Sequence, residues 1–292
     1  MRRFIGCYCI ILIVTAITGL FLESRQEYAQ ERILWNIKND FRKINNPASI
    51  ENEFIVKRIL DRYQNFLRHY PKSELIPRAK LLLAKTLISQ DNYSEARAIL
   101  EEITENYKYN VEIVAQALYG IAQSQESENN WPKAVTIYRS IIREYPLTTT
   151  GFSIPYYLGN FYRSRGLNST ALSAFNEAAE FYQNIAENYP DSPLGFTSLK
   201  MAVKCQLAQG HWTDAFFGSR QIFLQYPVAV SLLETIQMIR DISIKKLNNP
   251  GLAISTYNDF LNRNPGHPIN DTLKKIINNL QPQNNKPSNQ NK

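Results

Sequence analysis

A chain of 292 residues has room for one or two globular domains, and a 44% hydrophobic content excludes one that is disordered throughout. Its formal charge of +7 is partly terminal: residues 1–22 and 282–292 carry Arg2, Arg3, Lys286 and Lys292 and no acid, leaving 29 bases against 26 acids between them. A body so nearly balanced argues against nucleic acid as a partner, and Cys7, Cys9 and Cys205 form neither a disulfide framework nor a CxxC pair.

The first element is the uncharged run Phe4–Leu22, preceded by Arg2 and Arg3 and followed by Glu23. As a helix it spans roughly 28 Å, close to the hydrocarbon thickness of a bilayer. The arginines orient it with the N-terminus cytoplasmic and the rest of the chain across the membrane. Residues 1–22 are therefore expected to be an uncleaved signal anchor. The alternative is a secretory signal that is removed, although the run is longer than the usual apolar core and Ala16-Ile17-Thr18 is a poor cleavage site. Ile5-Gly6-Cys7 mimics the end of a lipobox, but only Phe4 and Ile5 precede it as apolar core.

Residues 23–46 read as a helical stalk, with Tyr28, Ile33, Leu34, Ile37, Phe41 and Ile44 in helical rhythm and Asn45-Asn46-Pro47 as the stop. A long helix over 49–69 follows, with Phe54, Ile55, Ile59, Tyr63, Phe66 and Leu67 on one face. Helix pairs are then expected at 74–90 with 92–107, 111–127 with 131–145, 152–165 with 168–189, 193–209 with 211–226, and 229–247 with 250–263. A last helix at 268–280 closes the series. Loops as short as Gly166-Leu167-Asn168 and Gly210-His211 make successive helices antiparallel neighbours. Residues 281–292, which contain no apolar side chain, are expected to be disordered.

A mark closes each pair: Tyr70-Pro71, Tyr145-Pro146, Tyr189-Pro190, Tyr226-Pro227 and Asn264-Pro265, with Tyr107-Lys108 in the same slot without proline. The slots at 71, 108, 146, 190, 227 and 265 are 37, 38, 44, 37 and 38 residues apart. A nearly constant period in this range is the signature of stacked repeats. The 44-residue step points to a second helix at 168–189 about two turns longer than the others, and Asn129-Asn130 reads as two extra turn residues.

Leu158-Gly159, Tyr162, Gly166, Ala171, Phe175 and Ala178 together resemble the tetratricopeptide repeat, in which small residues let two helices touch and large ones fill the gaps. Ala96, Ala134, Ala215 and Ala253 stand at one register position, and Leu83-Ala84 and Tyr119-Gly120 supply the first-helix contact. Val203 and Asp241 depart from the pattern where a small residue is expected. The resemblance covers residues 50–265. It implies an all-α, tetratricopeptide-like α-solenoid of antiparallel helix pairs over 47–280, joined to the N-terminal transmembrane helix. The joints Tyr70-Pro71-Lys72-Ser73 and Tyr189-Pro190-Asp191-Ser192 are similar to those of bacterial envelope repeat proteins, the Tol-Pal-associated coordinator and the outer-membrane barrel-assembly lipoprotein. In such joints proline stops one helix and serine or aspartate caps the next.

No catalytic, cofactor-binding or metal-ligating set is read: His69, His211 and His267 are scattered, and no phosphate loop or nucleophile elbow occurs. In the resembled family the first helix of each pair lines a concave groove. Its positions map here to Arg78 and Lys85, to Tyr156, Asn160 and Arg163, to Lys200 and Lys204, and to Lys245, with Ala117 and Ile121 between them. Such a set can clamp a carboxylate or an acidic peptide, or be simply a solvated basic face. The expectation is a non-enzymatic scaffold anchored in a bacterial inner membrane, whose repeats hold a protein partner in the periplasm. The alternative is a structural, self-associating component of an envelope complex.

Overall fold

The computed structural model describes residues 26–44, 50–228 and 231–281. The expected anchor at 4–22 and the tail after Gln281 lie outside these residues. Among the described residues no strand occurs, and no helix is long and apolar enough to cross a membrane.

The helices are α1 (26–42), α2 (Ile50–His69), α3 (Ile76–Ile88), α4 (Tyr93–Asn106), α5 (Val111–Ser127), α6 (Trp131–Glu144) and α7 (Thr149–Ser164). They continue as α8 (Asn168–Asn188), α9 (Pro193–Gln209), α10 (Trp212–Gln225), α11 (Leu232–Asp241), α12 (Pro250–Arg263) and α13 (Asn270–Leu280), with a π-helical turn Ile242–Lys246 after α11. The chain divides into two compact units, Met1–Ile154 and Pro155–Lys292, the boundary falling within α7.

Local backbone chemistry sets the repeat. From α3 onward, each turn from a first to a second helix contains one residue in the left-handed region: Asp91, Asn129, Gly166, Gly210 and Asn248, with φ of 58°, 60°, 72°, 76° and 48°. One further residue follows before the second helix starts. Glycine, asparagine and aspartate carry the least steric penalty there. Asn129-Asn130 occupies the same two positions as Asp91-Asn92, so the pair is the common turn and not an insertion. The joints between hairpins are equally specific. Thr148 Oγ1 donates to the Tyr145 carbonyl at 2.7 Å and accepts from Gly151 N–H at 3.0 Å. Ser192 Oγ does the same between Tyr189 and Gly195, at 2.7 and 3.0 Å. A Cβ at Gly151 or Gly195 would stand only 2.0 or 2.2 Å from the tyrosine carbonyl oxygen, which is why glycine closes both caps. Serine is the cap at 192; Asp191 instead takes a positive φ of 57°.

Counted back from the closing slots, the residues twelve before are Ile59, Ala96, Ala134, Ala178, Ala215 and Ala253, each at most 1% exposed. Those eight before, Tyr63, Leu100, Tyr138, Tyr182, Ser219 and Tyr257, are equally buried. Phe66, Ile103, Ile141, Ile185, Ile222 and Phe260 form the column five before. The spacing i, i+4, i+7 makes one stripe along each second helix, the face turned to its first helix. Small residues set the approach: a Cβ on Gly120 would meet the Leu100 side chain at 2.9 Å, and one on Gly159 the Phe175 ring at 2.5 Å.

Both departures from the small-residue pattern have a local answer. Val203 stands where a small residue is expected, and Gly218 on the partner helix supplies the room, since a Cβ there would lie 2.6 Å from Val203. At Asp241 the helix itself changes, passing into the π-turn. The Tyr257 hydroxyl donates to the Ile236 carbonyl at 2.7 Å and takes a backbone hydrogen bond from Arg240. It stands within one rung of the i→i−4 ladder, a recognised cause of such a distortion. The second helix α8 runs 21 residues against 14 for α10, the extra length expected from the 44-residue step.

Three readings of the N-terminal part need correction. The segment expected as a stalk is packed: Leu34 and Ile37 of α1 are 1% and 0% exposed within the core of Ile59, Tyr63, Phe66, Ala79 and Leu83. Helix α1 is therefore the first helix of a further hairpin with α2. Arg62–Asp40 at 2.6 Å and the Ser73–Gln30 hydrogen bond tie it down. Tyr28, assigned to its apolar rhythm, is exposed, and Gln30 is buried in its place. Phe54, expected on the core face of α2, is 75% exposed because Val56, Ile59, Tyr63 and Phe66 set that face and Phe54 falls opposite.

Candidate functional site

The second unit holds six of the eight predicted groove residues and brings four of them, Tyr156, Asn160, Arg163 and Lys204, together. Ile154, Leu158 and Gly159 turn one side of α7 into the core, which leaves Tyr156, Asn160 and Arg163, spaced i, i+4, i+7, on the opposite flank. The missing Cβ of Gly159 lets Phe175 of α8 come close beneath them. The Tyr156 and Phe175 rings lie 5.7 Å apart, tilted at 53°. Arg163 sits over the Phe175 ring with Cζ 5.1 Å from its centroid, and Lys204 of α9 places Nζ 5.8 Å from the centroid of Tyr156.

A short hydrogen-bonded chain fixes the arrangement. Arg163 Nη2 donates to Asn160 Oδ1 at 2.6 Å, and Asn160 Nδ2 donates to the Tyr156 carbonyl at 2.9 Å. Among the described residues neither Arg163 nor Lys204 is within ion-pair distance of a carboxylate. Ring contacts of this kind contribute only about 0.5–1 kcal/mol at exposed sites, so they orient the cations while most of their N–H donors stay available. Two oriented cations over an aromatic pair can hold an anionic group with little loss of side-chain freedom.

The other predicted positions are engaged differently. Lys200 lies 5.7 Å over Phe196 and 3.5 Å from Glu234 of α11, so it bridges successive first helices. Lys245 pairs with Asp241 at 3.0 Å within its own helix. In the first unit Arg78 makes two hydrogen bonds to Glu31 of α1, at 2.8 and 3.0 Å. Lys85 is exposed, with no ion pair among the described residues. Sequence reasoning missed Trp35, Lys38 and Arg42, which line a small pocket with Arg78 and Leu82. Trp35 does fall off the apolar rhythm of its helix, but it acquires a neighbour only because α1 docks.

Burial governs the remaining titratable groups near the site. The Tyr182 hydroxyl is pushed far above its ordinary range by desolvation, although a hydrogen bond from the Tyr156 backbone works in the opposite sense. The Cys205 thiol is pushed up to about 12 by burial, which leaves it protonated and inert at neutral pH.

The family model for the tetratricopeptide repeat matches residues 78–108 and 116–148, the hairpins α3–α4 and α5–α6. The chain carries tetratricopeptide repeats. Outside the matched residues, the tetratricopeptide register persists: α7–α8, α9–α10 and α11–α12 keep the left-handed turn residue and the three buried columns. No curated protein matches the chain. Repeats of this kind suggest a protein-interaction scaffold.

Proposed function

We propose that this protein is a non-enzymatic, membrane-anchored scaffold whose repeats hold an acidic segment of a protein partner on the periplasmic side. The apolar run at 4–22, with two arginines before it, supports the anchor and its orientation. The Tyr-Pro-x-Ser joints, similar to those of bacterial envelope repeat proteins, support the compartment. The observation that carries the binding mode is the pair Arg163 and Lys204, both resting on aromatic rings and neither neutralised by a described carboxylate. Lys200, already facing Glu234, contributes charge but is not the primary contact.

The test is affinity capture from envelope extract with the full-length chain in mild detergent. Arg163→Ala with Lys204→Ala should abolish recovery of the partner, while Lys245→Ala, which removes a cation already paired within its own helix, should retain it. Equal recovery by all three proteins would refute the assignment of the cluster.

A further inference from the structure

A cleft of about 330 Å³ opens in the second unit between the second helices α8 and α10, with the first helix α9 as its floor. Its size falls at the low end of ordinary ligand pockets. Gly218 lets α10 close onto this floor, since a Cβ there would meet Val203 at 2.6 Å and Gln206 Oε1 at 3.3 Å. Asn176, Glu180 and Gln183 of the 21-residue α8 line one flank.

The chemistry of the lining is one-sided. Although the chain carries a net charge of +7, no lysine or arginine borders the cleft, and its carboxylates are Glu180 and Asp214. Asn176 donates to one oxygen of Glu180 at 2.8 Å, which leaves the other to accept. Asp214 is 63% exposed, with His211 Nδ1 lying 3.9 Å from its Oδ2. On the floor, Gln206 Oε1 is buried with no hydrogen-bond partner, a costly state for an acceptor unless a donor arrives. Phe217 lies at the rim with its side chain largely in solvent. An unsatisfied acceptor below, carboxylates on both flanks and an aromatic face at the mouth suit a planar or tetrahedral nitrogen cation rich in donors.

We propose that this cleft binds a guanidinium or ammonium side chain of a basic peptide segment, on a surface separate from the Arg163–Lys204 cluster. The cation enters past Phe217, its N–H groups reach Gln206 Oε1, and Glu180 and Asp214 neutralise it.

Isothermal titration of the full-length chain in mild detergent with an acetylated, amidated tri-arginine peptide tests this. Binding is expected that weakens as salt is raised. Glu180→Gln with Asp214→Asn should lower affinity about tenfold. Gln206→Met, which removes the acceptor at similar volume, should lower it as well without lowering the melting temperature. Arg163→Ala with Lys204→Ala should leave it unchanged, so failure here and failure of the groove assignment are distinguishable. No binding of tri-arginine, or binding indifferent to Glu180→Gln with Asp214→Asn, would overturn the proposal. Binding of N-acetylglucosamine in place of the peptide would also overturn it, in favour of a neutral ligand.

Discussion

Replacing Leu34 and Ile37 by alanine asks whether α1 is part of the repeat stack or an independent stalk. Both side chains are essentially without solvent contact, at 1% and 0%, and both lie in the core that includes Ile59, Tyr63, Phe66, Ala79 and Leu83. A buried leucine or isoleucine truncated to alanine costs about 2–5 kcal/mol, combining lost transfer free energy with the cavity left behind. The two sites are one turn apart and share neighbours, so their effects will not add fully. With a urea slope of about 2 kcal/mol per M, a loss of about 3 kcal/mol moves a midpoint down by about 1.5 M. Repeat arrays unfold partly by segments, so the readout should report on the first unit. Trp131 fluorescence, in a chain with Trp35 and Trp212 changed to phenylalanine, provides that. Tyr28→Ala, at a side chain 71% exposed, is the control and should stay within about 0.5 kcal/mol of the parent. Unchanged midpoints for Leu34→Ala and Ile37→Ala would mean that α1 is not docked in solution, and the additional hairpin would have to be abandoned.

Gly159→Ala should destabilise by about 1–3 kcal/mol in chemical denaturation, because its Cβ would press on the Phe175 ring at 2.5 Å within a filled core. Gly166→Ala, where nothing lies within 4 Å, should cost only about 1 kcal/mol, as backbone strain at a φ of +72°. In a Cys7→Ser, Cys9→Ser chain, Cys205 should resist thiol reagents at pH 8 and become labelled only as the fold opens, since burial holds its pKa up to about 12. The folded state binds that proton more tightly than the unfolded chain. Its stabilising contribution is therefore present below the unfolded thiol value of about 8.5 and is lost as pH rises from there towards the folded value. Asp40 shows the opposite sign. The Arg62 hydrogen bond holds its carboxyl below the usual range, so its contribution is present at neutral pH and lost as pH falls through the folded value. The pair is partly exposed, so Asp40→Asn should cost less than about 1 kcal/mol by thermal melting at pH 7.

The sequence by itself determined the helices and, from α3 onward, their pairing, because both rest on local chemistry. Proline and tyrosine ended the second helices, residues tolerant of positive φ made the hairpin turns, and a fixed spacing put Ala134, Tyr138 and Ile141 on one stripe. Even the extra length of α8 was legible as a longer step between two Tyr-Pro marks. What it could not determine is which cations are free. Arg78, Lys85, Arg163, Lys200, Lys204 and Lys245 look alike in a list of first-helix positions. Tertiary packing brings Glu31 to Arg78 and Glu234 to Lys200, while Asp241 takes Lys245 and aromatic rings take Arg163 and Lys204. The docking of α1 and the cleft between α8 and α10 depend in the same way on side chains distant in sequence. Period and capping are properties of a few consecutive residues, whereas charge neutralisation and cavity shape are properties of neighbours that only the folded chain brings together.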